Sequence, residues 1–329
     1  MSYVLNEPNN VTISPETRQR VLEAISELDY QPDARAQSLR TGNSKTIGLL
    51  IPDIHNPHFW QNVEGIEEET RAAGYDLLFA HSSLDQTRED YCLQALTQRT
   101  ISGLIIIRAG NSLNPETVEK LLSTGRPIAE FLSQTPGFDS VTGRGYARVT
   151  RELMTHLLSL GHKHFAFVHG VALPNLGATR LKTYLSCLQD AGIPAEAAHI
   201  ERCGTTTEEG YEATIRILKE RPQTTAIVVI NDLLATGVIR AIYDLGMRVP
   251  DDISVASYDD IDSSNYLVPR LTTVRTDAKA EGKLLTRLLL DRLNNPGLEA
   301  RTVELSARLI IRESTGIAPT FGSVERKPN

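Results

Sequence analysis

The sequence predicts an α/β protein: two doubly wound parallel-sheet lobes preceded by a small helical N-terminal piece. Three observations carry this. From Thr46 onward, short apolar runs alternate with stretches of helical length, the order that builds a parallel sheet with helices on both faces. The series then restarts. A strand near Val141 and a helix from Arg144 precede a second run that opens at His164–Val168. Finally, Tyr30–Pro52 changes character twice, from an Ala-rich piece, through the polar break Thr41-Gly42-Asn43-Ser44, to the apolar run Ile47–Ile51.

Taken in order, Met1–Asn6 reads as the last turn of a helix and Asn9-Asn10 as a loop. Ser14-Pro15-Glu16 is a helix start: a capping hydroxyl, a proline at the first position and an acid at the positive dipole end. Val21, Leu22, Ile25 and Leu28 continue it at helical spacing. Pro32 opens a second short helix over Asp33–Arg40. Strand candidates are Ile47–Ile51, Leu77–Ala80, Leu104–Ile107, Phe165–Val168, Ile227–Ile230 and Ile253–Ser257. Helices fall between them at His58–Ala73, Arg88–Arg99, Tyr146–Leu160, Leu181–Ala191, Tyr211–Glu220 and Asp232–Leu245. Gly74, Gly161, Gly192 and Gly246 each stand where a helix ends. Late in the chain, strand Leu271–Val274, helix Lys279–Leu293 and a single strand Val303–Ile311 return the chain between lobes. The expected divisions are 1–45 for the helical piece, 46–142 plus 276–305 for the first lobe, and 143–275 plus 306–329 for the second.

The formal net charge of -7 excludes a protein that binds nucleic acid through its overall field. Residues 1–45 themselves carry six acidic and five basic side chains. No long uncharged apolar run marks a membrane span and no basic-then-apolar leader opens the chain, so a cytoplasmic protein with no membrane partner is expected. Cys92, Cys187 and Cys203 are scattered and odd in number, as free thiols in a reducing compartment are.

Ligands of doubly wound folds bind at the carboxyl ends of strands, and in a two-lobed version that is the cleft between lobes. Four stretches qualify, each with a plainer reading. Asn56-Pro57-His58-Phe59 follows the first strand; His58 and Phe59 either face the cleft or form an ordinary turn with Phe59 in the core. Arg180 follows the loop Gly170–Ala178 and can fork two hydrogen bonds to a polyol or carboxylate, or sit on the surface. Asn231-Asp232 ends a strand, where either residue also makes a good helix cap. Tyr258-Asp259-Asp260 ends another, where Asp259 suits a sugar hydroxyl or a turn.

Sharper chemistries fail. Gly143-Arg144-Gly145 has Arg148 where a dinucleotide fingerprint needs a small residue. His162-Lys163-His164 lacks a third metal ligand nearby and reads as a solvated loop. Asp260–Ser264 lacks the glycine and closing glutamate of a calcium loop. There is no GxSxG, no Walker sequence and no triad. The chain offers a binding cleft, no cofactor or metal site, and no enzyme.

The stretches SYVLN, ISPETRQRVLEAI, LDYQPDARAQSLRTG, SKTIGLLIPDIHNPHF, LLSLGHKHFAFV, IVVINDLLATGVI, VPDDISVASYDDID and PRLTTVR resemble, in order, the lactose-repressor (LacI/GalR-type) family of bacterial transcription regulators. The resemblance implies a cytoplasmic repressor, a homodimer or a tetramer, with a helix-turn-helix headpiece, a hinge helix, and a periplasmic-binding-protein-like core. It implies two partners, operator DNA and a small effector, a sugar or sugar derivative. For DNA, Tyr3 matches a base-reading position; Ser2, Asn6, Ser14, Thr17 and Tyr30 match backbone-contacting positions. Leu39 matches the hinge leucine that wedges between base pairs, with Ala36 the small residue beside it. For the effector, the matching positions are His58, Phe59, Arg180, Asn231 and Asp259. Three departures stand out. The chain opens inside the recognition helix, which leads to the expectation of weak operator binding as written and keeps a stand-alone sugar-binding protein as the alternative. Thr142-Gly143-Arg144-Gly145-Tyr146 replaces the usual Asp-Asn-Arg-Ala-Gly. Thr205 stands where several members carry a stacking aromatic ring.

Overall fold

A computed structural model describes residues 13–28, 44–108, 113–133, 135–170, 176–194 and 197–320. The chain divides into two compact units, Met1–Lys45 and Thr46–Asn329.

In the first unit, helix α1 (Pro15–Glu27) begins as its sequence dictates. Ser14 takes an extended backbone, its Oγ accepts from the Thr17 N–H at 3.2 Å and donates to Thr17 Oγ1 at 2.9 Å, and Pro15 occupies the first turn. Ser2, Tyr3, Asn6, Tyr30, Ala36 and Leu39 lie outside the described residues.

The second unit holds two six-stranded sheets. The first sheet is built from β1 (Thr46–Ile51), β2 (Asp76–His81), β3 (Gly103–Ile106), β4 (Ile128–Phe131), β5 (Asp139–Arg144) and β11 (Thr302–Ser306). Its order is β11-β5-β4-β3-β1-β2, every pair parallel. The second contains β6 (Phe165–His169), β7 (Ala198–Arg202), β8 (Ala226–Val229), β9 (Ser254–Asp259), β10 (Thr272–Arg275) and β12 (Arg308–Ile310), in the order β12-β10-β9-β8-β6-β7. Here β12 runs antiparallel to β10, the one departure among these pairs from the expected all-parallel arrangement. The central strands are buried end to end, which is why they read as apolar runs rather than alternating ones.

The connecting helices are α2 (Pro57–Ala72), α3 (Gln86–Thr97), α4 (Pro115–Ser123), α5 (Tyr146–Ser159), α6 (Leu176–Asp190), α7 (Thr207–Glu220), α8 (Asp232–Asp244) and α9 (Ala278–Asn294). Three crossings join the sheets: β5 to α5 and β6, β10 to α9, and β11 to β12. The last corrects an expectation. Val303–Ile311 is not one strand but two, broken at Ala307. That residue is buried, and its carbonyl accepts from Arg148 Nη2 at 2.8 Å instead of from a neighbouring strand. The solvated loop expected around His162 is also overturned. His162 is buried, hydrogen-bonded through Nδ1 to Thr225 Oγ1 and through Nε2 to Ser254 Oγ, each at 3.0 Å, and burial pulls its pKa below the usual histidine value.

Among the described residues no helix is long and apolar enough to cross a membrane, no group of His, Cys, Asp and Glu could hold a metal ion, and the three cysteines are unpaired.

Candidate functional site

Both sheets reverse their strand order beside a central strand, the first between β1 and β3, the second between β6 and β8. At such switch points the connections leave in opposite directions and open a crevice. The two crevices face one cleft of about 720 Å³, counted out to its solvent-open mouth. The first sheet contributes Asp53, Asn56, His58, Phe59, Leu84, Arg108 and Phe131; Tyr146 comes from α5; the second sheet contributes Gly170, Arg180, Thr205, Ile230, Asn231 and Asp259.

The structure thus brings His58, Phe59, Arg180, Asn231 and Asp259 to one surface. Asn56 caps α2, its Oδ1 accepting from the His58 N–H at 3.0 Å, so His58 and Phe59 sit on the first turn facing the cleft. Their rings meet edge to face at 5.4 Å. His58 is nearly buried and its Nδ1 has no protein partner. Phe59 serves both readings considered from the sequence: it lines the cleft and packs on the first-sheet core.

Arg180 points inward because Tyr184, one turn later on the same face of α6, anchors the helix in the core, with no exposure and rings 5.0 Å and 6.5 Å from Phe167 and Phe165. Arg180 Nη1 donates to the Ile230 carbonyl at 2.9 Å, and its guanidinium lies over the rings of Tyr258 at 4.3 Å and Tyr146 at 5.3 Å. Nη2 is 4.0 Å from Asp259 Oδ1, and Nε, buried, has no partner. Asn231 is the cap of α8, accepting from the Leu234 N–H at 2.9 Å, and also a cleft residue.

Asp53, Leu84, Arg108, Phe131, Tyr146, Gly170 and Ile230 were not singled out by sequence reasoning. Asp53 and Arg108 follow β1 and β3 directly, so the strand-end rule alone would have found them. Arg108 is committed to carboxylates: Nε donates to Glu130 Oε1 at 2.6 Å and Nη1 reaches Glu89 Oε1 at 3.5 Å. Burial raises the Glu89 carboxyl pKa, against the pull of Arg108.

Behind Asn231, Asp232 is fully buried. Burial first, and the Asp259 charge second, push its carboxyl up to about 7. The folded state therefore keeps a proton that the unfolded chain loses near pH 4. This contribution to stability is fully present below that value and is lost as pH rises through about 7, by on the order of a few kcal/mol. The midpoint of thermal unfolding, followed from pH 4 to 8 for wild type and Asp232→Asn, is expected to show a downward component in wild type that the variant lacks. Parallel curves would show that Asp232 does not titrate in this range.

A cleft between two doubly wound lobes, mostly apolar with a few converging polar and charged side chains, defines a small-molecule binding core. The periplasmic-binding-protein-like domain family matches residues 154–315. Catabolite control protein A of Priestia megaterium is 31% identical over 318 residues, which cover 96% of this chain and 94% of that protein. A LacI family transcriptional regulator from Enterococcus faecium, solved with bound ribose, aligns at 29% identity with a TM-score of 0.76 over 83% of this chain and 100% of that one. The lac repressor dimer, solved with operator and an anti-inducer, aligns at 27% identity with a TM-score of 0.81 over 96% and 94%. The chain belongs to the LacI/GalR-type family of transcription regulators.

Proposed function

We propose that this chain is a DNA-binding transcription repressor whose operator affinity is set by a small polyhydroxylated effector, a sugar or sugar derivative, held between the two lobes. The carrying observation is the pairing of Arg180 with Asp259 on the cleft wall. Both side chains line the cleft, with the Asp259 carboxylate 4.0 Å from Arg180 Nη2, so that ligand hydroxyls can accept from one and donate to the other. Ser14 and Thr17, on the first turn of α1, serve as phosphate contacts that set register on DNA. His58 and Asn231 add polar contacts, and Phe59 an apolar face. The cleft is assigned to binding rather than turnover, and the protein works in the cytoplasm. Control requires only that the effector bind two conformations with different affinity.

The test is selection of DNA by the protein purified from its native cells, followed by titration of the retained sequence with a sugar panel that begins with D-ribose. A mobility shift altered by one sugar is expected. Sequence-selective retention indifferent to every sugar that the cleft binds would remove effector control, and no selective retention would remove the repressor reading.

Two substitutions examine parts of this reading. Asp259→Ala is expected to weaken the regulating sugar by about 10- to 100-fold in calorimetry, the loss of one or two charge-assisted hydrogen bonds, with the fold intact. Unchanged affinity would take Asp259 out of the site. The protein is also proposed to act as a homodimer, and an exposed aromatic row running from α2 onto the edge strand β2 is a candidate contact. Trp60 stacks on Phe79 at 5.7 Å and Phe79 on His81 at 6.5 Å, with Trp60 and Phe79 45% and 39% exposed. Phe79→Glu should shift sedimentation toward the 36.3 kDa monomer, and an unaltered profile would place the interface elsewhere.

A further inference from the structure

Beneath the cleft, and lining none of it, Asp232 gathers four donors. Its Oδ1 accepts from Ser257 Oγ and from Thr273 Oγ1, the latter at 2.7 Å; its Oδ2 accepts from Ser264 Oγ at 2.6 Å and from the Ile261 N–H at 3.0 Å. These donors belong to β9, to the 3₁₀ turn Asp262–Asn265 and its entry, and to β10. Ser257 and Ile261 bracket two residues with left-handed backbones, Asp259 at φ +111° and Asp260 at φ +56°. Each such non-glycine residue is strained and persists only where its surroundings over-determine it. Asp260 has its own restraint, from Arg275 and from Arg312 Nη2 at 2.6 Å. The side chain of Asp259 instead faces the cleft and Arg180.

We propose that Asp232 is the positioning residue of the cleft. It draws Ser257, Ile261, Ser264 and Thr273 onto one point, holding Asp259 in the strained backbone that presents its carboxylate to Arg180, and its grip depends on whether it carries a proton. Only the consequence for effector binding rests on the reading of Asp259 given above; the clamp itself does not.

The ionised carboxylate accepts from all four donors. A proton on one oxygen forces a facing hydroxyl to turn round and weakens these bonds, but it removes the buried charge that Asp259 repels, and that gain is the larger, since Asp232 holds its proton well above the usual carboxylate range. From β9 the charge acting on Asp232 is Asp259. In the following loop the Asp260 carboxylate is held by Arg275 and Arg312. From the turn and β10 the facing groups are the hydroxyls of Ser264 and Thr273. An effector that donates to Asp259 lowers the repulsion felt by Asp232 and favours its ionised form, so effector and proton oppose one another.

The test needs no effector. Hydrogen exchange of the full chain is followed by mass spectrometry in peptides covering 257–265, from pH 5.5 to 8.5, each rate divided by its intrinsic value. Wild-type protection there is expected to fall by about threefold or more from the bottom of the range to the top, because opening lets Asp232 ionise in water. Asp232→Asn should raise exchange of the segment by about tenfold and flatten the pH profile, while β6 and β8 stay protected. Exchange within about twofold of wild type, or a retained pH profile, would overturn the proposal. Should Asp232→Asn fail to fold, Ser264→Ala and Thr273→Val serve. Each removes one donor to the charged form, so each should move the midpoint of the pH profile upward, and an unmoved midpoint would overturn the proposal equally.

Discussion

Replacing Arg180 with alanine is expected to abolish measurable effector binding and to destabilise the core by about 2–4 kcal/mol. Both effects follow from one geometry. Arg180 is 5% exposed, so its removal leaves the Ile230 carbonyl without its donor, Asp259 without its nearest cation, and a void against the faces of Tyr146 and Tyr258. For the ligand, the fork that meets two hydroxyls is gone, and the carboxylate opposite repels lone pairs it formerly shared with a guanidinium. Arg180→Lys separates the two effects. An ammonium restores charge but neither the planar stack nor the fork, so stability should recover in part while affinity stays low by about 100-fold. Calorimetry with the regulating sugar and thermal unfolding of the two variants provide the check. Binding of Arg180→Ala within threefold of wild type would mean that the ligand does not touch this residue.

What the sequence made legible is local in the chain. Each central strand is a contiguous apolar run, and each strand-end residue is recognisable from its place after such a run. That is why His58, Phe59, Asn231 and Asp259 are findable one at a time. What stayed hidden is long-range. Asp232 looks like an ordinary second capping residue until the fold sets Ser257, Ser264 and Thr273 around it from 25, 32 and 41 positions away. Arg108 is unremarkable until Glu89 and Glu130 arrive from neighbouring elements. His162 reads as loop because its partners, Thr225, Ser254 and Gly316, lie 63 to 154 positions off. The break at Ala307 is invisible because apolar residues recur on both sides of it; the sheets, not the residues, decide which half pairs where.

The largest loss of stability is expected from a glycine on neither a turn nor the cleft. In each lobe two helices cross at backbone contact: α2 on α9 in the first, α7 on α8 in the second. A Cβ built on Gly65 would fall within 3.0 Å of the Lys279 carbonyl oxygen, and one on Gly282 equally close to that of Asn62. In the second lobe the same holds for Gly210 against the Leu234 carbonyl and for Gly237 against that of Thr207. Helix propensity alone would favour alanine at Gly237 by about 1 kcal/mol. The steric argument outweighs it, because the clashing atom is backbone and can yield only if α7 and α8 move apart. Separating them strips contacts from Ala213, Ile217, Val238 and Ile242. Gly237→Ala should therefore cost about 3–5 kcal/mol, at the upper end for overpacking. Because α8 starts at Asn231 and Asp232, effector affinity should fall with it. Gly246→Ala is the control. Gly246 follows α8 at φ +74° with nothing within 4 Å, so alanine there meets only backbone strain, about 1–2 kcal/mol, and no helix has to move. Denaturant unfolding of the two variants discriminates the causes. Equal losses would mean that the α7–α8 crossing accommodates a methyl group and that close approach is not what glycine supplies there.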